Sequence, residues 1–202
     1  MSIVPRGAAA GTRGGLAPVA RRLHAWGVSA NTVTFLGLLL TLVAAALIAG
    51  GQPWPALVVV IIGTLADTLD GQIAKAAGGG TKLGAFLDST FDRVSDGVLT
   101  AAAIVYGAYR DDALLLSAGL VALVFGSLIP YVRAKAESLG LTAAVGLAPR
   151  EARIVLYVLG IAAWAITGNS QLFAVAVAVI AFLSTLTAIQ RIAHVANVLR
   201  NS

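Results

Sequence analysis

The sequence predicts an all-α integral membrane protein, with six transmembrane helices preceded by an N-terminal interfacial amphipathic helix. Three observations predict it. Of 202 residues, 58% are hydrophobic and only 11% charged, a balance foreign to soluble globular domains. Six apolar segments approach the ~20 residues that a helix needs to cross a bilayer. Turn-forming clusters separate them: Gly50-Gly51-Gln52-Pro53, Gly78-Gly79-Gly80, Arg110-Asp111-Asp112 and Gly168-Asn169-Ser170. No repeat of fixed period is visible, so residues 1–202 read as one compact membrane-embedded domain.

The first fifteen residues carry Arg6, Arg13 and several glycines but no apolar core, which argues against a secretory signal peptide. Within about 14–27, Leu16, Val19, Leu23 and Trp26 recur at helical spacing while Arg21 and Arg22 fall elsewhere. That pattern suits a helix lying in the interface; the competing reading is a frayed basic tail. The six-helix bundle then occupies about 32–197. Its spans read as about Thr32–Ala49, Trp54–Lys75, Leu83–Tyr109, Ala113–Lys135, Arg153–Thr167 and Leu172–Arg191. The fifth is short.

Alternate loops decide orientation. One side carries Arg6, Arg13, Arg21 and Arg22, then Lys75 and Lys82, then Arg133, Lys135, Arg150 and Arg153, then Arg191 and Arg200. The other side has only Arg110. The positive-inside rule therefore places both termini in the cytoplasm, in a multi-pass protein of the plasma membrane. The net charge of +5 fits basic loops at an anionic lipid surface, and no nucleic-acid partner is expected.

Against this apolar background stand Asp67, Asp70, Asp88 and Asp92. A carboxylate at the middle of a membrane helix costs about 2.5–3.5 kcal/mol on insertion scales, and few cations lie nearby in sequence. Asp67 and Asp70 share one helix face near the cytoplasmic end of the second span; Asp88 and Asp92 share another near the start of the third. A tight glycine-rich loop joins the two spans, so all four can converge. Divalent cations are the cheapest partners for such a cluster. Cysteine is absent and His24 and His194 are remote in sequence, so oxygen ligands and hard ions such as Mg2+, Mn2+ or Ca2+ are expected. Two ions with open coordination positions would have the geometry of two-metal phosphoryl transfer, facing the cytoplasm. Gly71, Ala74 and Gly84 beside the acids would let a ligand approach the backbone; helix–helix packing is the plainer role for such small residues.

The full pattern, Asp-x2-Asp-Gly-x2-Ala-Lys-x8-Gly-x3-Asp-x3-Asp from Asp67 to Asp92, resembles the signature of the CDP-alcohol phosphotransferase family. The resemblance covers essentially the whole chain. It implies displacement of CMP from a CDP-linked lipid by an alcohol, with two Mg2+ or Mn2+ ions per active site and a homodimeric assembly. It further implies that Asp67, Asp70, Asp88 and Asp92 hold metal and that Asp92 is the general base. Asn31, Thr34, Gly71, Ala74, Lys75, Thr81, Lys82 and Gly84 are then expected to contact the CDP-lipid. Lys75 departs from the family's usual arginine, keeping the charge but losing bidentate phosphate geometry. Asp96 lies one turn beyond the signature; a structural pair with Arg93 is its plainer reading and a metal ligand the alternative.

For the acceptor, the cytoplasmic helix ends offer Arg133, Arg150, Arg153 and Arg191. Several such cations could converge on a phosphate, although each alone suits the ordinary basic belt. The segments Tyr131-Val132-Arg133-Ala134-Lys135-Ala136-Glu137-Ser138, Gly79-Gly80-Thr81-Lys82 and Asp92-Arg93-Val94-Ser95-Asp96-Gly97 look like those of the actinobacterial phosphatidylinositol phosphate synthase subfamily. That resemblance implies CDP-diacylglycerol as donor and inositol phosphate as acceptor, its phosphate held by Arg133, Arg153 and Arg191, with Arg150 in a lesser role. Glycerol 3-phosphate, as in phosphatidylglycerol phosphate synthases, is the alternative acceptor. A cation transporter would also bury acids in a helical bundle, but it would more often show broken helices and a pathway to both sides.

Overall fold

The computed structural model describes the backbone of residues 6–201, with side chains from Leu16. Residues 1–5 and 202 of the expected domain, and the side chains of Arg6 and Arg13 used in the orientation argument, lie outside the described residues. Seven helices follow in order: α1 (Arg6–Ala25), α2 (Ala30–Ala49), α3 (Pro53–Ala76), α4 (Lys82–Tyr109), α5 (Ala113–Ser138), α6 (Arg150–Thr167) and α7 (Gln171–Arg200). Four of them, α2, α3, α5 and α7, are long and apolar enough to cross a membrane. The other two expected spans form as helices, α4 and α6. Each carries charge toward its start, Lys82, Asp88, Asp92 and Arg93 in α4, with Asp96 near its middle, and Arg150, Glu151 and Arg153 in α6.

Local chemistry sets most ends. Ser29 caps α2, its hydroxyl accepting the Thr32 N–H at 3.1 Å. Pro53 opens α3, where a missing N–H leaves nothing unsatisfied. Asp112 caps α5, accepting the Leu115 N–H at 3.0 Å. Gly168 closes α6 in the left-handed region that disfavours side chains. Two bounds depart from the sequence reading. α1 starts earlier than about 14, at Arg6, where Ala8, Ala9 and Ala10 favour helix despite the glycines around them. α7 runs on to Arg200, because Ile192, Val195 and Val198-Leu199 continue a helical pattern beyond what a membrane span requires.

The described residues form two compact units, one ending at Leu99 and the other beginning at Thr100. In the first, α3 packs against α1 and α2. Ala20, Val33 and Ile73 are its buried centre, with Leu23, Val28, Ala66 and Leu69 around them. Ala20 and Leu23 thus turn inward from α1, while Val19 and Trp26, expected on the same face as Leu23, are exposed. Gly37 of α2 and Gly63 of α3 face each other, a Cβ on Gly63 coming within 3.8 Å of the Gly37 carbonyl. Small residues of this kind let apolar helices approach closely.

In the second unit, α7 packs against α5 and α6. Its core holds an aromatic cluster: Trp164 lies 4.6 Å from Tyr106 and 5.7 Å from Phe173, centroid to centroid. The Thr100 and Tyr157 hydroxyls share a buried hydrogen bond of 2.7 Å. At Gly160 α6 lies tight against α7, and a Cβ there would stand 2.6 Å from the Ala176 Cβ. Gly160→Ala should therefore destabilise the protein by about 1–3 kcal/mol, the usual range for an overpacked core. Thermal unfolding in detergent checks this, and an unchanged Tm would show that the two helices can separate at no cost.

Candidate active site

The site in the first unit is built by one turn. Gly78 and Gly79 take φ of 91° and 127°, conformations open to glycine and strained for side chains. They end α3 and allow the chain to reverse into α4. Thr81 then caps α4, its hydroxyl accepting the Gly84 N–H at 2.9 Å. This places the acids of both helices together. Asp67, Asp88 and Asp92 each present a carboxylate oxygen, all within 4.8 Å of one another.

Asp70 stands outside that trio. It is buried, and among the described residues its Oδ2 has no hydrogen-bond partner. It lines, together with Asp88, a cavity of about 460 Å³. A buried carboxylate oxygen without a donor is costly, and three clustered carboxylates repel one another. A divalent cation relieves both, and an all-oxygen donor set matches a hard ion. The residues present therefore fit a metal centre. Arg93 lies 3.7 Å from Asp92 Oδ2. Adjacent positions on a helix point in different directions, but the long guanidinium stem reaches back to its neighbour.

Six residues expected to contact the CDP-lipid line the cavity: Asn31, Thr34, Gly71, Ala74, Thr81 and Gly84. Lys75 and Lys82 are exposed and not among its lining residues. Gly71 has open space where a Cβ would project, whereas a Cβ on Gly84 would come within 3.1 Å of Asn31 Oδ1 and 3.2 Å of Thr81 Oγ1. The sequence reading missed the contribution of the α1–α2 connection, where His24, Gly27 and Ser29 also line the cavity. Ser-x2-Thr at Ser29 was a readable capping signal, but nothing local to His24 marks it as a lining residue.

The four arginines expected at the acceptor site lie in the second unit, and the structure separates them by environment. Arg153 and Arg191 are buried. Arg191 donates from Nε to the Val145 carbonyl at 2.8 Å and from Nη1 to the Ile129 carbonyl at 2.9 Å. Arg153 donates from Nη1 to the Ala148 carbonyl at 3.1 Å. Both thus bind the connection between α5 and α6. Arg150 is half-buried in the first turn of α6. Arg133 is exposed and pairs with Glu137 at 2.9 Å, one turn along α5.

The carboxylate trio generates a direct prediction. The purified protein should bind Mn2+, and Asp88→Asn should weaken that binding by about tenfold to a hundredfold, the worth of one charge-assisted contact. Titration calorimetry reads it, and equal affinity in the variant would remove Asp88 from the metal site.

Comparison with known proteins identifies this arrangement. The family model for CDP-alcohol phosphatidyltransferase matches residues 27–198. The phosphatidylinositol phosphate synthase of Mycolicibacterium smegmatis is 38% identical over 145 residues, covering 71% of this chain and 65% of that protein, a little under two thirds of its length. The crystal structure of Mycobacterium tuberculosis phosphatidylinositol phosphate synthase with CDP-DAG bound superposes with a TM-score of 0.82 at 32% identity, covering 89% of this chain and 92% of that one. The same enzyme in complex with manganese and citrate gives the same TM-score and identity, covering 89% and 88%. The chain belongs to the CDP-alcohol phosphatidyltransferase family.

Proposed function

We propose that the protein transfers the phosphatidyl group of CDP-diacylglycerol to inositol phosphate, giving phosphatidylinositol phosphate and CMP. The observation that carries this reading is the carboxylate trio of Asp67, Asp88 and Asp92 next to a cavity shared by Asp70 and Asp88. The relatives' names and the CDP-DAG-bound neighbour support the donor and the acceptor.

In the mechanism, the small residues Gly71, Ala74 and Gly84 admit the nucleotide diphosphate to the cavity, and Asn31, Thr34 and Thr81 offer it polar contacts. Lys75 and Lys82 add positive charge from outside the lining. Asp67, Asp70, Asp88 and Asp92 would hold metal, two Mg2+ or Mn2+ ions per site. Such ions, when bound, neutralise the crowded carboxylates and the diphosphate and make a nearby hydroxyl easier to ionise. Asp92 takes the proton of the attacking inositol hydroxyl. The hydroxyl oxygen bonds to the lipid-side phosphorus as the bond from that phosphorus to the bridging oxygen breaks, and CMP leaves with the electron pair. A carboxylate is a weak base, but little basicity is needed for a hydroxyl so activated. Arg133, Arg153 and Arg191, with Arg150 in a lesser role, bind the acceptor's own phosphate by charge-assisted hydrogen bonds.

The same proposal places the protein in the plasma membrane. Residues 1–202 act as one domain, with α2 to α7 all crossing, α1 in the interface, and both termini and the site cytoplasmic. The early charges of α4 and α6 then lie near the cytoplasmic surface, where membrane insertion costs least. A homodimer is the expected assembly.

Two outcomes follow. Asp92→Asn should retain its fold and CDP-lipid binding while kcat falls by about 10²–10⁴-fold, the usual general-base contribution; near-normal turnover would remove Asp92 from the mechanism. CMP release from CDP-diacylglycerol should be fastest with inositol phosphate when that acceptor is compared with inositol, glycerol 3-phosphate and serine. Faster release with glycerol 3-phosphate would overturn the acceptor while leaving the family intact, and equal rates with unphosphorylated inositol would overturn the phosphate pocket.

A further inference from the structure

The connection between α5 and α6, residues 139–149, has little regular structure, yet it is fixed to α7 at one point. Thr187 is fully buried in α7. Its Oγ1 accepts two successive backbone N–H groups of that loop, Leu147 at 3.2 Å and Ala148 at 2.9 Å. One turn further along α7, Arg191 donates to the Val145 carbonyl. Arg153, in the first turn of α6, donates to the Ala148 carbonyl. The same short stretch therefore gives its N–H groups to Thr187 and its carbonyls to the two buried arginines. Gly146, between them, has φ of 122°, and a Cβ there would collide with the Thr187 methyl group. Glycine is required on both counts, and it lets the backbone lie directly on the threonine.

A buried N–H without an acceptor is among the costlier defects a protein can carry. In this segment one hydroxyl satisfies two of them, so the loop's position depends on that oxygen. The carbonyls of Val145 and Ala148 move with it, and they are acceptors that help to orient the Arg191 and Arg153 guanidiniums. We propose that Thr187 is a positioning residue for the acceptor site: through the 145–148 backbone it sets the two guanidiniums that bind the acceptor phosphate. The inference rests on the acceptor reading above and adds to it a residue that touches no substrate.

Thr187→Val tests it, because valine keeps the branched shape and volume but loses the oxygen. The variant should raise KM for inositol phosphate by about tenfold, as expected when hydrogen-bonded groups lose their partner, while kcat and KM for CDP-diacylglycerol change much less. Thr187→Ser, which restores the oxygen, should return KM for the acceptor toward that of the wild type. Gly146→Ala attacks the same contact from the loop side and should reproduce the valine phenotype if Thr187→Val cannot be purified folded. Arg191→Gln is measured alongside. A raised acceptor KM in Arg191→Gln with an unchanged one in Thr187→Val and in Gly146→Ala overturns the positioning role and leaves the phosphate pocket standing. An unchanged acceptor KM in Arg191→Gln overturns the pocket and the positioning role together. Equal losses in kcat and in both KM values for Thr187→Val, not restored by serine, would reduce Thr187 to a packing residue.

Discussion

Negative charge held among apolar helices is the constraint on which the rest of the molecule depends. Asp67, Asp88 and Asp92 bring carboxylate oxygens within 4.8 Å of one another, and Asp70 buries an oxygen with no hydrogen-bond partner among the described residues. Without cations, mutual repulsion and desolvation would both oppose this arrangement. It persists because the backbone gives the side chains little choice. The glycine turn at Gly78 and Gly79 reverses the chain, Thr81 caps the next helix, and the core of Ala20, Val33 and Ile73 fixes α3 against its neighbours. The fold stores an electrostatic problem whose solution is a bound metal, and a metal site open to a cavity is where a nucleotide diphosphate can be held.

The positive groups are treated differently. Where the acids are gathered against one another, the buried arginines are placed by backbone carbonyls. Arg191 is fixed by Ile129 and Val145, and Arg153 by Ala148. A carbonyl orients a guanidinium without neutralising it. A carboxylate partner, such as Glu137 gives to exposed Arg133, satisfies the fork and offsets the charge.

Much of this was legible in the sequence, and the limits have physical causes. The helices appear where apolar runs and turn clusters place them, because membrane length and backbone satisfaction leave few alternatives. The gathering of Asp67, Asp88 and Asp92 follows from same-face spacing on two helices joined by a short turn. Asp70 was harder: a helical wheel puts it beside Asp67, but which of two neighbouring faces meets a cavity depends on how α1 and α2 pack. The overrun of α7 past Arg191 escaped a reading based on bilayer thickness, since a helix may continue into water. The bonds from Arg153, Thr187 and Arg191 to residues 145–148 were beyond reach. They involve backbone atoms of an irregular loop, which no side-chain periodicity encodes.

The central claim, that the acidic cluster works as a metal centre for phosphatidyl transfer, is tested most directly by metal dependence. Purified protein is stripped with chelator, and CMP release from CDP-diacylglycerol in the presence of inositol phosphate is followed as Mg2+ or Mn2+ is returned. The account predicts no release without divalent cation and recovery on titration with either ion. Undiminished CMP release in excess chelator would contradict it.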